Sequence, residues 1–110
     1  MERGEESCLQ VFCAVDDRGR AEAIADRLVE EGRAACVQVL GPMASTYRWR
    51  GAVERAEEWL LVAKTTRAAY PAAEALIRQL HPYEVPEITA LPVVAGFEAY
   101  LAWVRREARP

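Results

Sequence analysis

The residues best equipped for chemistry lie in one short stretch, residues 81–87, with the sequence HPYEVPE. It contains the only histidine of the chain, His81, together with two carboxylates and a tyrosine. A histidine can act as a general acid or base, but a single one restricts those options, and no Ser/His/Asp arrangement accompanies it. The stretch is therefore either a binding site or a structural brace, and the residues alone leave both open.

The same stretch predicts a rigid corner between a helix and a strand. Pro82 and Pro86 each fix their own φ and push the preceding residue toward extended conformations. A helix that arrives through residues 76–80 should therefore end at or just before His81. As a purely structural residue, His81 would cap that helix, because an imidazole N–H is favourable near the carbonyls at a helix C-terminus.

Hydrophobic patterns predict four strands around this corner. Residues 8–15 form a nearly continuous apolar run that suits a central strand, and residues 57–65 form a later strand. Residues 35–40 form another strand, which is interrupted by a bulge or bend at Gly41-Pro42 and resumes over residues 44–50. The turn at Arg50-Gly51 makes these segments a long hairpin, and a fourth strand follows the corner at residues 87–93.

Three helices complete the prediction. Asp16-Asp17 offers an N-cap for the first helix and Gly32 a C-terminal stop, and Pro71 opens the second helix. A short last helix follows Gly96. The apolar positions at helical spacing are Ala21, Ile24, Ala25, Leu28 and Val29 in the first helix, Ala73, Leu76, Ile77 and Leu80 in the second, and Phe97, Tyr100, Leu101 and Val104 in the last.

The element order βαββαβ with a C-terminal helix predicts an α+β fold, the ferredoxin-like split βαβ sandwich. Residues 8–110 are expected to form this single domain, and residues 1–7 a disordered tail. In this topology the first and third strands are central and the second and fourth are edges. The long second strand carries Tyr47 and Trp49 on one face, which favours self-association through the sheet edges.

Composition excludes several classes of function. Fourteen basic residues against 17 acidic ones give a net charge of −3, which argues against a nucleic-acid partner. No apolar run is long enough to span a membrane, and the acidic start differs from a signal peptide, so a cytoplasmic protein is expected. The three cysteines, Cys8, Cys13 and Cys36, lack the spacing of a disulfide framework or zinc ribbon.

Two other activities associated with this topology are disfavoured. An acylphosphatase needs a phosphate-binding loop after the first strand, but here the loop begins with Asp16 and Asp17, which repel anions. An RNA-binding sheet needs exposed aromatic residues on its central strands and a basic face, and only Phe12 and Trp59 are candidates. We therefore expect a protein that is not an enzyme.

Four stretches resemble the CutA family of divalent cation tolerance proteins. They are residues 28–37 (LVEEGRAACV), 46–51 (TYRWRG), 81–88 (HPYEVPEI) and 100–104 (YLAWV). Because they follow the family's order along most of the chain, the resemblance is specific. It implies a ferredoxin-like subunit in a compact, thermostable homotrimer whose sheets join edge to edge. It also implies a link to copper and other divalent metal ions.

The resemblance also implies a metal site. Cys13 matches a first-strand cysteine of a copper-tolerance member, and His81 matches the second of two adjacent histidines, whereas Leu80 replaces the first. Since the fourth strand runs antiparallel to the first, Cys13 and His81 should lie at the same end of the sheet. Thiolate and imidazole suit copper or zinc, and Glu84 and Asp16 are candidate additional ligands.

Aromatic and acidic residues are predicted at the trimer interface. They are Tyr47, Trp49, Tyr83, Glu87 and Trp103. Glu87 is a candidate partner for Arg48 or Arg50. An alternative function follows from a likeness in architecture to nitrogen-regulatory PII proteins: a trimeric signalling or scaffold module that binds a small molecule or a partner protein at the subunit clefts, without a physiological metal.

Overall fold

One antiparallel sheet forms the framework of the protein, with its strands in the order β2-β3-β1-β4. The computed structural model describes residues 4–110. The strands are β1 (Cys8–Val15), β2 (Cys36–Trp49), β3 (Ala52–Thr66) and β4 (Ile88–Pro92). The predicted placement of the first and third strands at the centre, and of the second and fourth at the edges, is confirmed.

Two helices lie on one face of this sheet, and the third lies on the other face. They are α1 (Arg18–Glu30), α2 (Tyr70–Leu80) and α3 (Glu98–Glu107). Side chains alternate between the faces of β1, so Val11 and Cys13 enter the main core with α1 and α2, whereas Cys8 packs with Val104 of α3 on the other face. The fold is thus the predicted α+β sandwich with a C-terminal helix.

Local signals in the sequence fix both ends of α1. The Asp17 carboxylate accepts a hydrogen bond from the Arg20 backbone N–H at 2.8 Å, which makes Asp17 the N-cap. Gly32 adopts φ 70°, and the Arg33 N–H then donates to the Leu28 carbonyl at 2.8 Å. A left-handed residue at this position favours glycine, so the predicted helix stop is confirmed.

Not every apolar position at helical spacing is buried. In α1, Val29 recurs with the buried positions, but 44% of its surface is exposed. In the last helix Val104 is buried, whereas Phe97 and Tyr100 are exposed. Helical spacing identifies the direction of a face but not its width, and the width depends on how much sheet lies beneath the helix.

The hairpin of β2 and β3 is longer and more continuous than predicted. The interruption at Gly41-Pro42 is a bulge within a single strand, because the pairing register shifts between Leu40 and Met43. A β-carbon added at Gly41 would lie 2.6 Å from Trp59 Cδ1, so this close approach requires glycine. Beyond the bulge the hairpin extends past the helices and leaves Tyr47 and Trp49 exposed on the edge strand.

The corner after α2 and the N-terminal segment complete the chain. His81 is the C-cap of α2 with extended backbone, and its N–H donates to the Ile77 carbonyl, so the predicted helix end is confirmed. Residues 1–3 of the predicted tail lie outside the described residues. Gly4–Glu6 form a 3-10 turn, and the neighbouring Ser7 carbonyl accepts a hydrogen bond from the Arg67 N–H.

The main core predicts a large effect for Leu61→Ala. Leu61 on β3 is 1% exposed and packs among the buried residues of the main core. The substitution should lower the free energy of unfolding by about 2–5 kcal/mol, because it removes buried methyl groups and leaves a cavity. Chemical denaturation at a fixed protein concentration measures this difference.

Val53→Ala is the matched control on the same strand, since Val53 is 57% exposed. Its effect should stay within about 0.5 kcal/mol. Equal losses in the two variants would contradict the assignment of Leu61 to the core.

Candidate functional site

The His81 side chain joins the corner after α2 to the end of β1. Its Nε2 lies 2.8 Å from the Ala14 carbonyl oxygen, and its Nδ1 lies 3.2 Å from the Tyr83 backbone nitrogen. Because the Tyr83 N–H donates to Nδ1, the proton of the neutral ring is assigned to Nε2, which donates to Ala14. The side chain therefore does not cap the α2 carbonyls; it braces the corner against the sheet.

The two hydrogen bonds of the His81 ring determine whether it can bind a metal ion. Histidines that ligate metals commonly donate their second ring N–H to a carbonyl, as His81 does to Ala14. The remaining lone pair, on Nδ1, already accepts the Tyr83 N–H. A metal ion at His81 would have to replace that hydrogen bond.

Cys13 lies at the same end of the sheet as His81. It pairs in register with Ile88, the first residue of β4, and it precedes Ala14, the residue that His81 contacts. Its side chain points into the main core, and burial raises the pKa of its thiol to about 12, with the charges of Glu87 and Glu58 adding to the shift. The thiol is therefore protonated at neutral pH and is not prepared as a thiolate ligand.

The other candidate ligands do not complete a metal shell. Glu84 is exposed and forms an ion pair with Arg50 at 2.8 Å, and Asp16 is exposed beyond the end of β1. Among residues 4–110 no group of three or more histidine, cysteine or acidic side chains is arranged to hold a metal ion. The described residues therefore do not fit a preformed metal centre.

An open cleft of about 740 Å³ lies between the hairpin and the corner. Tyr47 and Trp49 of β2 line one side, and Tyr83 and Val85 line the other. Glu58 of β3 also lines the cleft although it is only 6% exposed, and its Oε2 accepts a 2.6 Å hydrogen bond from the Tyr83 hydroxyl. Burial, followed by this hydrogen bond to a carboxylate, raises the pKa of Tyr83 well above its usual value.

Glu58 is the residue that the sequence interpretation missed. The signal was available, because the turn at Arg50-Gly51 sets Tyr47 opposite Glu54 and Met43 opposite Glu58. Side-chain alternation then places Glu58 on the same face as Tyr47. Strand pairing alone could not show that the Tyr83 hydroxyl, on a loop distant in sequence, donates a hydrogen bond to Glu58.

The predicted interface residues have different surroundings. Tyr47 and Trp49 are exposed, and the Arg50 guanidinium lies over the Trp49 ring at 5.2 Å. Arg50 pairs with Glu84, whereas Glu87 lines the cleft. Trp103 packs against the smaller core under α3, close to Tyr100.

Comparison with known proteins gives a consistent match over nearly the whole chain. The profile of the CutA1 divalent ion tolerance protein family matches residues 9–107. The divalent-cation tolerance protein CutA of Thermus thermophilus is 45% identical over 95 residues, which are 86% of this chain and 92% of that protein. Human protein CutA is 43% identical over 78% of this chain, but the match spans only 48% of the human protein.

Solved structures show the same fold. CutA from Xylella fastidiosa superimposes with a TM-score of 0.90 at 38% identity, covering 93% of this chain and 98% of that one. CutA from Archaeoglobus fulgidus, described as a periplasmic divalent cation tolerance protein, gives 0.89 at 28% identity, covering 93% of this chain and 99% of that one. The architecture is therefore shared across distant relatives.

The bond between Tyr83 and Glu58 predicts a specific loss on Tyr83→Phe. The change removes the hydroxyl that donates to the buried Glu58 carboxylate and should lower the free energy of unfolding by about 1.5–3 kcal/mol. Tyr47→Phe, in an exposed side chain of the same cleft, is the control and should change it by less than about 0.5 kcal/mol. Chemical denaturation compares the two, and equal stability of the Tyr83 variant and the unmodified protein would show that the bond contributes nothing.

Proposed function

Because the chain belongs to the CutA1 divalent ion tolerance family, we propose that it acts in the response to divalent metal ions as a binding protein that is not an enzyme. The observation that carries this proposal is the family match over residues 9–107. The environment of His81 supports a role without catalysis, since hydrogen bonds engage both of its ring nitrogens.

The proposed working form is a homotrimer in the cytoplasm. Edge strands β2 and β4 support self-association, because each presents an unpaired edge within the described chain and exposed apolar side chains such as Leu40 and Leu91. Burial of Tyr47 and Trp49 between subunits would cover the aromatic residues of the hairpin. No helix among residues 4–110 is long and apolar enough to cross a membrane.

Copper or another divalent ion is the proposed ligand, and Cys13 and His81 are the residues proposed to bind it. Their positions at one end of the sheet support the pairing, whereas the buried thiol and the hydrogen bonds of His81 oppose tight binding. A site that must rearrange to bind its ligand has a lower affinity, because the rearrangement costs free energy. We therefore expect weak binding.

Titration of the assembled protein with Cu(II) tests this contact. His81→Ala and Cys13→Ser should each weaken binding by roughly tenfold or more, the effect commonly seen when a ligand or its support is removed from a metal site. Cys36→Ser is the matched control, since Cys36 contacts the Tyr100 hydroxyl in another part of the protein. Equal affinity in all four proteins would reject a site at Cys13 and His81.

Sedimentation equilibrium tests the proposed homotrimer. The unmodified protein should sediment as a trimer of the 12.3 kDa chain. Trp49→Glu places a charge at the predicted contact and should shift the mass toward the monomer, because an unpaired buried charge opposes association. Glu22→Gln on the exposed side of α1 should leave the mass unchanged. A monomer at all concentrations would contradict the proposal.

The alternative function is a trimeric module that binds a small molecule or partner protein at the subunit clefts without a physiological metal. The observation that favours it is the cleft of about 740 Å³ between the hairpin and the corner. That volume is within the usual range for small-molecule sites, roughly 300–1,000 Å³. Unchanged copper affinity in the Cys13 and His81 variants would leave this alternative standing.

A further inference from the structure

The loop of residues 82–87 crosses one end of the sheet. Its start is held against the central strand β1, because the His81 ring donates to the Ala14 carbonyl at 2.8 Å and accepts the Tyr83 N–H at 3.2 Å. Its end leads into Ile88, the first residue of the edge strand β4. The His81 ring therefore sets where the loop lies relative to β1 and β4.

The hairpin projects beyond the rest of the sheet as an arm, residues 43–58. β1 pairs with β3 only as far as Trp59, so within residues 4–110 the two strands of the arm pair only with each other. A two-stranded ribbon by itself is marginally stable in water. The orientation of the arm therefore depends on contacts with other elements.

The contacts that orient the arm come from the same loop. Tyr83 donates to the Glu58 carboxylate at 2.6 Å, and Glu84 forms an ion pair with Arg50, at the turn of the hairpin, at 2.8 Å. In the described part of the chain, these are the only side-chain hydrogen bond and ion pair that join the arm to another element. The loop thus connects the arm on one side of the sheet with β4 on the other.

The loop itself depends on its side-chain contacts. No backbone–backbone hydrogen bond involves residues 82–87 in the chain as described, and two of these residues are prolines, which have no N–H to donate. Glu84 and Val85 are exposed, whereas His81 is only 8% exposed. Of the contacts at this end of the sheet, those of the His81 ring are therefore the most protected from water.

The angle between the arm and β4 matters for ring closure. The sheet has two edges, β2 and β4, and a trimer formed through sheet edges brings β2 of one subunit against β4 of the next. Contacts between two different surfaces close into a ring only if the rotation that relates them is correct, and otherwise they give open chains. The β2 edge runs along the arm, and β4 begins directly after the loop.

We propose that His81 is a positioning residue for assembly. Its ring holds the loop, and the loop holds the arm at the angle to β4 at which three subunits close into a ring. The series of contacts runs from β1 through His81 and Tyr83 to Glu58 in the arm. This inference rests on the homotrimer proposed above and requires no metal ion.

Subunit exchange tests the proposal in buffer that contains EDTA. Trimers of unlabelled and isotope-labelled protein are mixed at a temperature at which the unmodified protein exchanges measurably, and native mass spectrometry follows the mixed trimers. His81→Gln keeps an amide that can donate to Ala14 but removes the ring nitrogen that accepts the Tyr83 N–H. Exchange should become faster by on the order of tenfold, because one lost hydrogen bond can change an equilibrium constant by about that factor.

Two further variants separate positioning from a general loss of stability. Tyr83→Phe breaks the next contact in the series and leaves His81 in place, so it should also speed exchange. Ile24→Ala is the control, since Ile24 is fully buried in α1, belongs to neither the corner nor the arm, and leaves a destabilising cavity when it is truncated. Its exchange rate should equal that of the unmodified protein.

Each outcome decides the inference. Unchanged exchange in both corner variants, or an equal increase in Ile24→Ala, would overturn it while leaving the trimer standing. An unmodified protein that is a monomer at all concentrations would overturn the proposed trimer and the inference with it. Tyr83→Phe removes a single hydroxyl, so the comparison decides the question even if His81→Gln does not fold.

Discussion

The pair of hydrogen bonds made by the His81 ring is the constraint on which the arrangement of the corner depends. One bond reaches across 67 positions of the chain to Ala14, and the other holds the backbone of Tyr83 two residues on. With the ring fixed at both nitrogens, the loop that follows α2 has a defined position beside β1. That position determines where Tyr83 and the residues after it enter the cleft.

The brace and a metal site make competing demands on the same imidazole. A structural role uses the Nδ1 lone pair for the Tyr83 N–H, whereas ligation would require its release. Cys13 adds to the conflict, since a buried thiol with a raised pKa must lose its proton before it can bind a metal ion. A family role in metal tolerance is thus compatible with a corner in which His81 mainly holds the loop after α2 against β1.

The buried residues Glu58 and His81 both lie where the hairpin meets the corner. Glu58 is held by Tyr83, and Tyr83 is in turn placed by the brace at His81, so the three residues form a connected series from β1 to β3. The hairpin beyond the bulge at Gly41 supplies the aromatic walls and reaches past the helices. Tyr47 and Trp49 lie on the edge strand β2, so the residues that line the cleft in the single chain are also those proposed for subunit contact.

The sequence by itself determined the order of the elements, the central and edge strands, the caps at Asp17 and Gly32, and the end of α2 at His81. These follow from short-range physics: side-chain periodicity, capping and the fixed φ of proline. Only the tertiary structure decided that the His81 ring bonds to β1 instead of capping α2, that Val29 is exposed, and that Glu58 is buried against Tyr83. Each depends on groups far apart in the chain, and local sequence patterns carry no information about which distant donor or apolar surface will meet a given side chain.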